Sequence, residues 1–534
     1  MPDSIVETVA IQAARQPERT AIIFEGERIS YGQLYTDIER FARALLASGL
    51  ERGDRVGLFL ENRPAFAIAY LGTHLVGGVV TLINTQYRQV ELSHILTDAA
   101  VRFCVTSARG SAALSLLSLP ALHLRIIVRD PEADARPDQP GQPGQPDQPD
   151  PQCVAYEAFL RRGESVSGLG SSVTPLTSPT MPGGDDPAVI GYTSGTTGRS
   201  KGALLLHRNL IANITAITTA WHWTPDDQLL LTLPLFHTHG LMVGLHGTLF
   251  MGGSAVLRRR FDAGDVLATL DDDPAVSLFF GVPTMYGRLV AEAQQRERPR
   301  HLPRLFVSGS APLSPHLFAE FERIFGQRIL ERYGMTETGM NLTNPYAGER
   351  RPGTVGGPFP GQEARIVDAA SREVLPPGVV GEIEVRGPHV FAGYVNRPDA
   401  TAEAFSPDGW FKTGDLGWVS DDGYFTITGR ARELIISGGY NVYPREVEDV
   451  LATHPEVAEV AVLGAADNDL GEQVVAVIVP KAGTTPLAED IIAYCRERLA
   501  SYKKPRRVIF AASLPRNALG KVQKHVLSAQ LPSS

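Results

Sequence analysis

The chain has 534 residues, more than one hydrophobic core usually serves, so two or more domains are expected. Its net charge of −9 argues against a nucleic-acid binder, which needs a basic face for phosphates. Cys104, Cys153 and Cys495 are widely spaced with no CxxC pair, which argues against a zinc site or a disulfide framework and fits a reducing cytoplasm.

Met1-Pro2-Asp3-Ser4 lacks the basic start and apolar stretch of a signal peptide. A helical pattern opens at Tyr31 and runs to about Leu46, and Arg55–Leu60 and Gly78–Ile83 read as short buried strands. Ala65 to Asn84 is strongly apolar. His74 and the glycines at 72, 77 and 78 make it a core helix running into a strand rather than a membrane span. Residues 131–152 repeat Asp-Gln-Pro and Gly-Gln-Pro with nothing to bury, so an exposed insert is expected. A small-residue linker, Ser165 to Asp186, follows. Strands and helices then alternate from Pro187 to about Thr428. Beyond them lies a smaller unit, with a helix starting at Glu446–Leu451, strands at Val457–Val462 and Val474–Val479, and a helix at Asp490–Leu499. The expected domains are 1–429 and 430–534.

The stretch Tyr192 to Gly202, Tyr-Thr-Ser-Gly-Thr-Thr-Gly-Arg-Ser-Lys-Gly, follows the apolar run Ala188-Val189-Ile190. Glycines let a backbone approach an anion, while hydroxyls, amides and a lysine supply donors and charge, so this loop reads as a phosphate cradle. It is not a Walker A loop, because Lys201 follows Ser200 and precedes Gly202; Gly520-Lys521 fails too, because Val522 follows.

The loop resembles the signature of the AMP-forming acyl-CoA synthetase superfamily, and seven further stretches resemble that family's motifs in order. They are Pro234 to Gly240 (acyl pocket), Ser308 to Leu313 (adenine side) and Glu331 to Thr338 (nucleotide and metal). Thr413 to Leu416 (ribose), Gly429 to Glu433 (hinge), Gly438 to Pro444 (thioester step) and Pro515 to Lys521 (C-terminal lysine) complete the series. The resemblance implies an α/β fold with a large multi-subdomain N-terminal domain of layered sheets and helices, and a small mobile α+β C-terminal domain turning near Arg432. It implies ATP, Mg²⁺ and coenzyme A, a carboxylic acid substrate, and two steps through an acyl-adenylate.

Residue by residue, the resemblance gives Thr193, Ser194, Gly195, Thr196, Thr197, Gly198 and Lys201 to the phosphates. Gly309, Ser310, Ala311, Glu331, Arg332 and Tyr333 fall to the nucleotide, and Asp415 and Arg430 to its ribose. Lys521, Thr336 and Glu337 are the catalytic candidates: Lys521 bridges carboxylate and α-phosphate, Thr336 donates to that phosphate, and Glu337, with Thr196, holds Mg²⁺, a cation that prefers oxygen ligands. Gly438, Gly439 and Tyr440 face the site in the thioester step, and His237, Ser308, Arg288 and Met340 border the acid. Each charge taken alone is more often a solvated surface group. His237, His239 and His246 could suggest a metal cluster, but the i,i+2 spacing and lack of a nearby carboxylate argue against zinc. Lys503-Lys504-Pro505-Arg506-Arg507 is either a contact for the phosphates of coenzyme A or a solvated basic turn. Acetylation of Lys521 would remove its charge, so a lysine acetyltransferase and deacetylase are candidate partners.

Gly281 to Arg288, Thr338 to Tyr346 and Arg351 to Gly356 resemble the malonyl-CoA synthetase subgroup more narrowly. Malonate keeps a free carboxylate after activation, and an arginine fork answers such a charge. Arg288 flanks an apolar stripe of Met285, Tyr286, Leu289 and Val290, so it either points along a pocket or is a surface arginine. Met340 would limit chain length. Gly339 stands where the subgroup often has a larger polar residue, which leaves room for methylmalonate. The alternative is a medium-chain or aryl acyl-CoA synthetase.

Overall fold

The protein is described by a computed structural model over residues 2–129, 150–165, 181–193, 200–296, 299–437, 440–467, 470–517 and 520–531. The proline-rich insert, most of the linker before Pro187, and the glycines of the two loops at 194–199 and 438–439 lie outside the described residues.

Val-, Ile- and Leu-rich runs with no polar alternation cannot face water on either side, and they form two mostly parallel sheets covered by helices. One sheet runs, edge to edge, through Gly357–Pro358, Gly339–Thr343, Leu330–Met335, Leu305–Ser308, Val276–Gly281, Gln228–Leu231, Ser254–Leu257, Thr20–Phe24 and Glu27–Ser30. Its six inner strands from Leu330–Met335 to Thr20–Phe24 pair in parallel. The second runs through Gly393–Tyr394, Lys201–Leu206, Pro187–Thr193, Val79–Leu82, Arg55–Phe59, Val101–Ser107, Leu124–Val128 and Cys153–Ala155. Ligands bind in such sheets beyond the carboxyl ends of the parallel strands. Thr193, Gly281 and Ser308 all stand at such ends.

The helix Pro64–Leu75 is buried from Ala65 to Leu75, as its continuous apolar surface requires, and leads into the strand Val79–Leu82. The helix Tyr31–Ala47 starts at a capping box, in which the Ser30 hydroxyl and the Gln33 side chain each accept from the other's backbone N–H.

A third, antiparallel sheet comprises Glu363–Val367, Gly381–Arg386, Phe411–Val419 and Phe425–Arg430. After Arg430 a single 3-10 turn, Ala431–Glu433, leads into a separate sheet of Tyr440–Val442, Ile435–Ser437, Gly471–Pro480 and Val457–Asp467, with Arg507–Phe510 paired to Gly471–Pro480. This unit has its own core of Ile435, Val447, Leu451, Val462, Ala476, Ile478, Ile491 and Cys495. Its two long strands form an extended antiparallel pair from Val457↔Pro480 to Asp467↔Gly471. They run further than the apolar runs Val457–Val462 and Val474–Val479 suggest, because ladder hydrogen bonds carry the pairing through the polar ends.

Three histidines are buried together beside the first helices. The rings of His74 and His207 lie 4.7 Å apart, His74 Nε2 is 3.0 Å from the Ala188 carbonyl, and His246 Nε2 is 3.0 Å from the Tyr70 hydroxyl. Burial holds His74 down to about 4 and His246 to about 3, and pushes His207 in the same direction. The folded state keeps these rings neutral while the unfolded chain binds protons from about pH 6.5. Stability should therefore be level above that value and fall as pH drops from 6.5 toward 4, by about 1.4 kcal/mol per pH unit for each histidine. Thermal midpoints across this range should show the decline, and His207→Phe should make it shallower.

Candidate active site

The strand Pro187–Thr193 turns back through the glycine-rich loop into Lys201–Leu206, and the register pairs Thr193 with Lys201 across its mouth. The Thr193 hydroxyl donates to Glu337 Oε1 at 3.2 Å, and the Tyr394 hydroxyl donates to the same oxygen at 3.0 Å. Lys201 Nζ lies 5.1 Å from the centre of the Tyr394 ring. Glu337 is buried, and burial raises its carboxyl above the usual range against these donors. The end of the strand that leads into the loop thus meets the carboxylate of the Glu331 to Thr338 motif; Ser194, Gly195, Thr196, Thr197 and Gly198 are outside the described residues. Gly191 explains how Thr336 comes so near: a Cβ there would stand 2.5 Å from Thr336 Cγ2.

Asp415 lies opposite Arg430 in the hairpin of Phe411–Val419 and Phe425–Arg430. Arg430 Nε is 2.7 Å from Asp415 Oδ1, and the Tyr333 hydroxyl donates to Asp415 Oδ2 at 2.5 Å. The Asp415 amide donates to Thr413 Oγ1 at 3.1 Å, and the Thr413 hydroxyl donates to the Ile383 carbonyl at 2.7 Å. A buried carboxylate held from both sides in this way stays fixed. Tyr333, which the sequence assigns to the nucleotide, also holds Asp415 through its hydroxyl.

Lys521 arrives from the C-terminal unit on a tight loop. Its amide donates to Asn517 Oδ1 at 3.0 Å and its carbonyl accepts from the Asn517 amide at 2.9 Å. Gly520 rests on Thr284, whose Oγ1 a Cβ would approach to 2.6 Å, so the loop docks at the start of the helix Pro283–Ala293. The Lys521 ammonium is pulled below its ordinary value, first by burial and then by Arg430, while Asp415 and Glu433 oppose the shift. The lysine therefore faces the Asp415–Arg430 pair from across the domain boundary.

The strand Leu305–Ser308 ends in the turn Gly309-Ser310-Ala311, where Ser310 adopts a φ of 67°. Two residues read as nucleotide contacts have other places. Glu331 Oε1 accepts from the Leu313 amide at 2.9 Å, so this carboxyl braces the turn from beneath, and burial pushes it up to about 7. Arg332, next along the strand, points the other way. Its guanidinium lies against Gly309, where a Cβ would come within 2.4 Å of Cζ. Burial holds it down to about 9, which still leaves it charged at neutral pH.

His239 Nδ1 lies 3.4 Å from the Ser310 hydroxyl, and its ring stacks on Phe280 at 6.3 Å. His237 precedes it, held neutral down to about 4 by burial. Met340 is buried beside Gly334, and its backbone is held at both ends by Asn213: the Asn213 amide donates to the Met340 carbonyl at 2.8 Å, and the Met340 amide donates to Asn213 Oδ1 at 3.1 Å.

Arg288 does not join this group. The helix Pro283–Ala293 turns Tyr286, Leu289, Val290 and Ala293 inward, which leaves Arg288 exposed on the flank it shares with Thr284. It lines an open groove of about 430 Å³ with Phe261, Asp262, Gly264 and Glu292. Of the two readings of Arg288, along a pocket or at the surface, the structure shows the surface one, on a helix flank facing that open groove rather than among the buried groups. Tyr440 is also exposed, stacked on Tyr502 at 4.6 Å, and Lys503 is paired with Glu446 at 2.6 Å rather than free. Tyr394 and Asn213 were missed in the sequence because they lie far from the motifs they support and carry no local signature.

Comparison with known proteins agrees with this layout. The AMP-binding enzyme family matches residues 9–395, and the AMP-binding enzyme C-terminal domain matches residues 446–521. The chain is 36% identical to a sulfoacetate–CoA ligase of Cupriavidus necator, over 98% of this chain and 97% of that one. It is 33% identical to a malonate–CoA ligase of Arabidopsis thaliana, over 97% and 87%, and 33% identical to a long-chain-fatty-acid–CoA ligase of Bacillus subtilis, over 99% and 94%. Among solved structures, ATP-bound MatB from Rhodopseudomonas palustris matches with a TM-score of 0.85 and 37% identity over 98% of both chains. Matched by both family models and by these relatives over nearly its whole length, the chain belongs to the AMP-binding enzyme family and is an AMP-forming acyl-CoA synthetase.

Proposed function

We propose that this CoA ligase activates a short acid with a second anionic end, malonate or methylmalonate, to give malonyl-CoA or its methyl homologue, AMP and pyrophosphate. The observation that carries this reading is the polar character of the acid end of the site. Ser308 Oγ and the Nε2 atoms of His237 and His239 are buried there without a hydrogen-bond partner among the described residues. A pocket for a hydrocarbon tail would line that end with apolar surface, since each unpaired polar group costs about 1–3 kcal/mol. Met340, buried over Gly334 just before Thr336, favours a short acid. The relatives named for malonate and for sulfoacetate point the same way. The alternative, a medium-chain or aryl monocarboxylate, draws on the aromatic wall of Phe280 and Trp221, whose rings lie 5.5 Å apart, and on the fatty-acid relative.

In the proposed mechanism a substrate carboxylate oxygen attacks the α-phosphorus of ATP and pyrophosphate leaves. Lys521 holds the carboxylate and α-phosphate together, Thr336 donates to the developing charge, and Asp415 fixes the ribose hydroxyls. The glycine-rich loop with Lys201 grips the leaving pyrophosphate. Glu337 fits a magnesium ion: a buried carboxylate beside the phosphate loop meets the cation's preference for one or two carboxylates plus phosphate oxygens. When bound, the ion neutralises phosphate charge. The coenzyme A thiolate then attacks the acyl carbonyl and expels AMP. For that step the C-terminal unit turns about Arg432, taking Lys521 away and bringing the loop with Gly438, Gly439 and Tyr440 inward.

AMP release with malonate, methylmalonate, acetate, octanoate and benzoate tests the reading. Malonate should exceed octanoate and benzoate by at least about tenfold in kcat/KM; a reversed order would contradict it. Lys521→Ala should slow adenylate formation by about 100-fold or more, yet leave thioester formation from supplied acyl-adenylate nearly intact, as read in separate half-reactions. Asp415→Ala should raise the KM for ATP by about tenfold or more in the same assay.

A further inference from the structure

The helix Gln89–Asp98 ends in the wrong charge for its place. A carboxylate at a helix C-terminus faces the negative end of the helix dipole, where a cation is favoured. Asp98 is nevertheless held there with its side chain 11% exposed, and it collects partners from two distant segments. The Tyr192 hydroxyl donates to Asp98 Oδ2 at 2.8 Å. The Asn396 side-chain amide donates to the Asp98 carbonyl at 2.9 Å, and Arg397 Nη2 is 3.7 Å from Asp98 Oδ1. Asn396 adopts a φ of 54°, a left-handed conformation that asparagine tolerates better than most residues, so the chain bends sharply where it makes this contact.

Both segments lead to Glu337. Tyr192 immediately precedes Thr193, and Asn396 and Arg397 follow closely on Tyr394. Thr193 and Tyr394 supply the two hydroxyls that donate to Glu337 Oε1. The Arg397 amide donates to the Tyr394 carbonyl at 3.2 Å, which closes the turn between them. One turn back along the helix, on the same face, His94 Nε2 donates to the Ser200 carbonyl at 2.8 Å, and Ser200 precedes Lys201. A single helix face thus meets the three segments that carry Thr193, Lys201 and Tyr394. Leu92, Ile95 and Leu96 of the same helix pack into an apolar cluster, so the helix is fastened to the sheet by other side chains than these polar ones.

We infer that Asp98 is a positioning residue for the phosphate end of the site: it holds Thr193 through Tyr192, and Tyr394 through Asn396 and Arg397, so that their hydroxyls fix the orientation of Glu337. His94 steadies the Lys201 side from the same helix. Asp98 itself touches none of the reacting groups. Groups that hydrogen-bond a ligating carboxylate set its direction, and a supporting shell loosened by about 1 Å leaves a site present but ineffective. The inference rests on the reading of Glu337 as the magnesium ligand and is independent of which acid is activated.

The test measures equilibrium binding of AMP and of Mg·ATP by calorimetry to the full-length wild type, Glu337→Gln, Asp98→Ala, Asp98→Asn, Tyr394→Phe and the Asp98→Ala/Tyr394→Phe double variant. AMP lacks the outer phosphates, so its binding reports the ribose clamp and the fold of the nucleotide site. Asp98→Ala should weaken Mg·ATP by about tenfold or more while AMP affinity stays within about twofold, a split that general loosening of the fold would not produce. The double variant should fall short of the product of the two single effects by about threefold or more, because both changes act on the same carboxylate. Unchanged Mg·ATP affinity in Asp98→Ala, equal weakening of both nucleotides, or fully multiplicative effects would overturn the inference while Glu337→Gln still weakens Mg·ATP. Mg·ATP affinity unchanged in Glu337→Gln would overturn the reading of Glu337 and the inference with it. Should Asp98→Ala fail to fold, Asp98→Asn carries the test: it keeps an acceptor for Tyr192 but loses the charge that faces Arg397, and it should weaken Mg·ATP relative to AMP by about threefold or more. An unchanged ratio there would overturn the inference.

Discussion

One charge has to cross a domain boundary. Lys521 sits on a unit with its own core, yet its partly buried ammonium feels the charges of Asp415 and Arg430 of the preceding sheet. Burial makes that ammonium costly, and the nearby Arg430 makes it costlier; Asp415 offsets part of it. A triphosphate and a carboxylate would supply the missing negative charge. The docked arrangement is thus stabilised most when the substrates of the first step are present, and weakened once pyrophosphate has gone. In the proposed mechanism the same electrostatics would help release the small unit for the second step.

The large domain fixes its side of the site through contacts made within it. Asp415 is fixed by Arg430, Tyr333 and Thr413, and Glu337 by Thr193 and Tyr394. These contacts join segments far apart in the chain, at the carboxyl ends of the parallel strands. Two close approaches depend on glycine: Gly191 admits Thr336, and Gly309 admits Arg332. At each, any larger residue would displace the neighbouring side chain.

Much of this was legible in the sequence because the chemistry is local. Hydroxyls, glycines and a lysine around Tyr192–Gly202 announce a phosphate, and the buried helix and strand at 64–82 follow from continuous apolar character. The acid pocket was less legible because side-chain direction within one turn or one strand decides it. Arg288 carries the right chemistry, but helix phase turns it outward. Arg332 was read with its neighbours as a nucleotide contact, because a motif hides the alternation that sends Glu331 and Arg332 to opposite faces. Tyr394 and Asn213 have no short-range pattern at all; only folding brings them to Glu337 and Met340.

The most direct measurement follows an oxygen atom. With malonate labelled by ¹⁸O in its carboxylates, coenzyme A and ATP, the attacking oxygen bridges acyl group and phosphorus in the adenylate and leaves with the nucleotide when the thioester forms. The account predicts one ¹⁸O in the phosphate of the released AMP for each malonyl-CoA made. Malonyl-CoA formed with unlabelled AMP, or with ADP as the nucleotide product, would contradict it, as would turnover of octanoate by an enzyme that leaves malonate untouched.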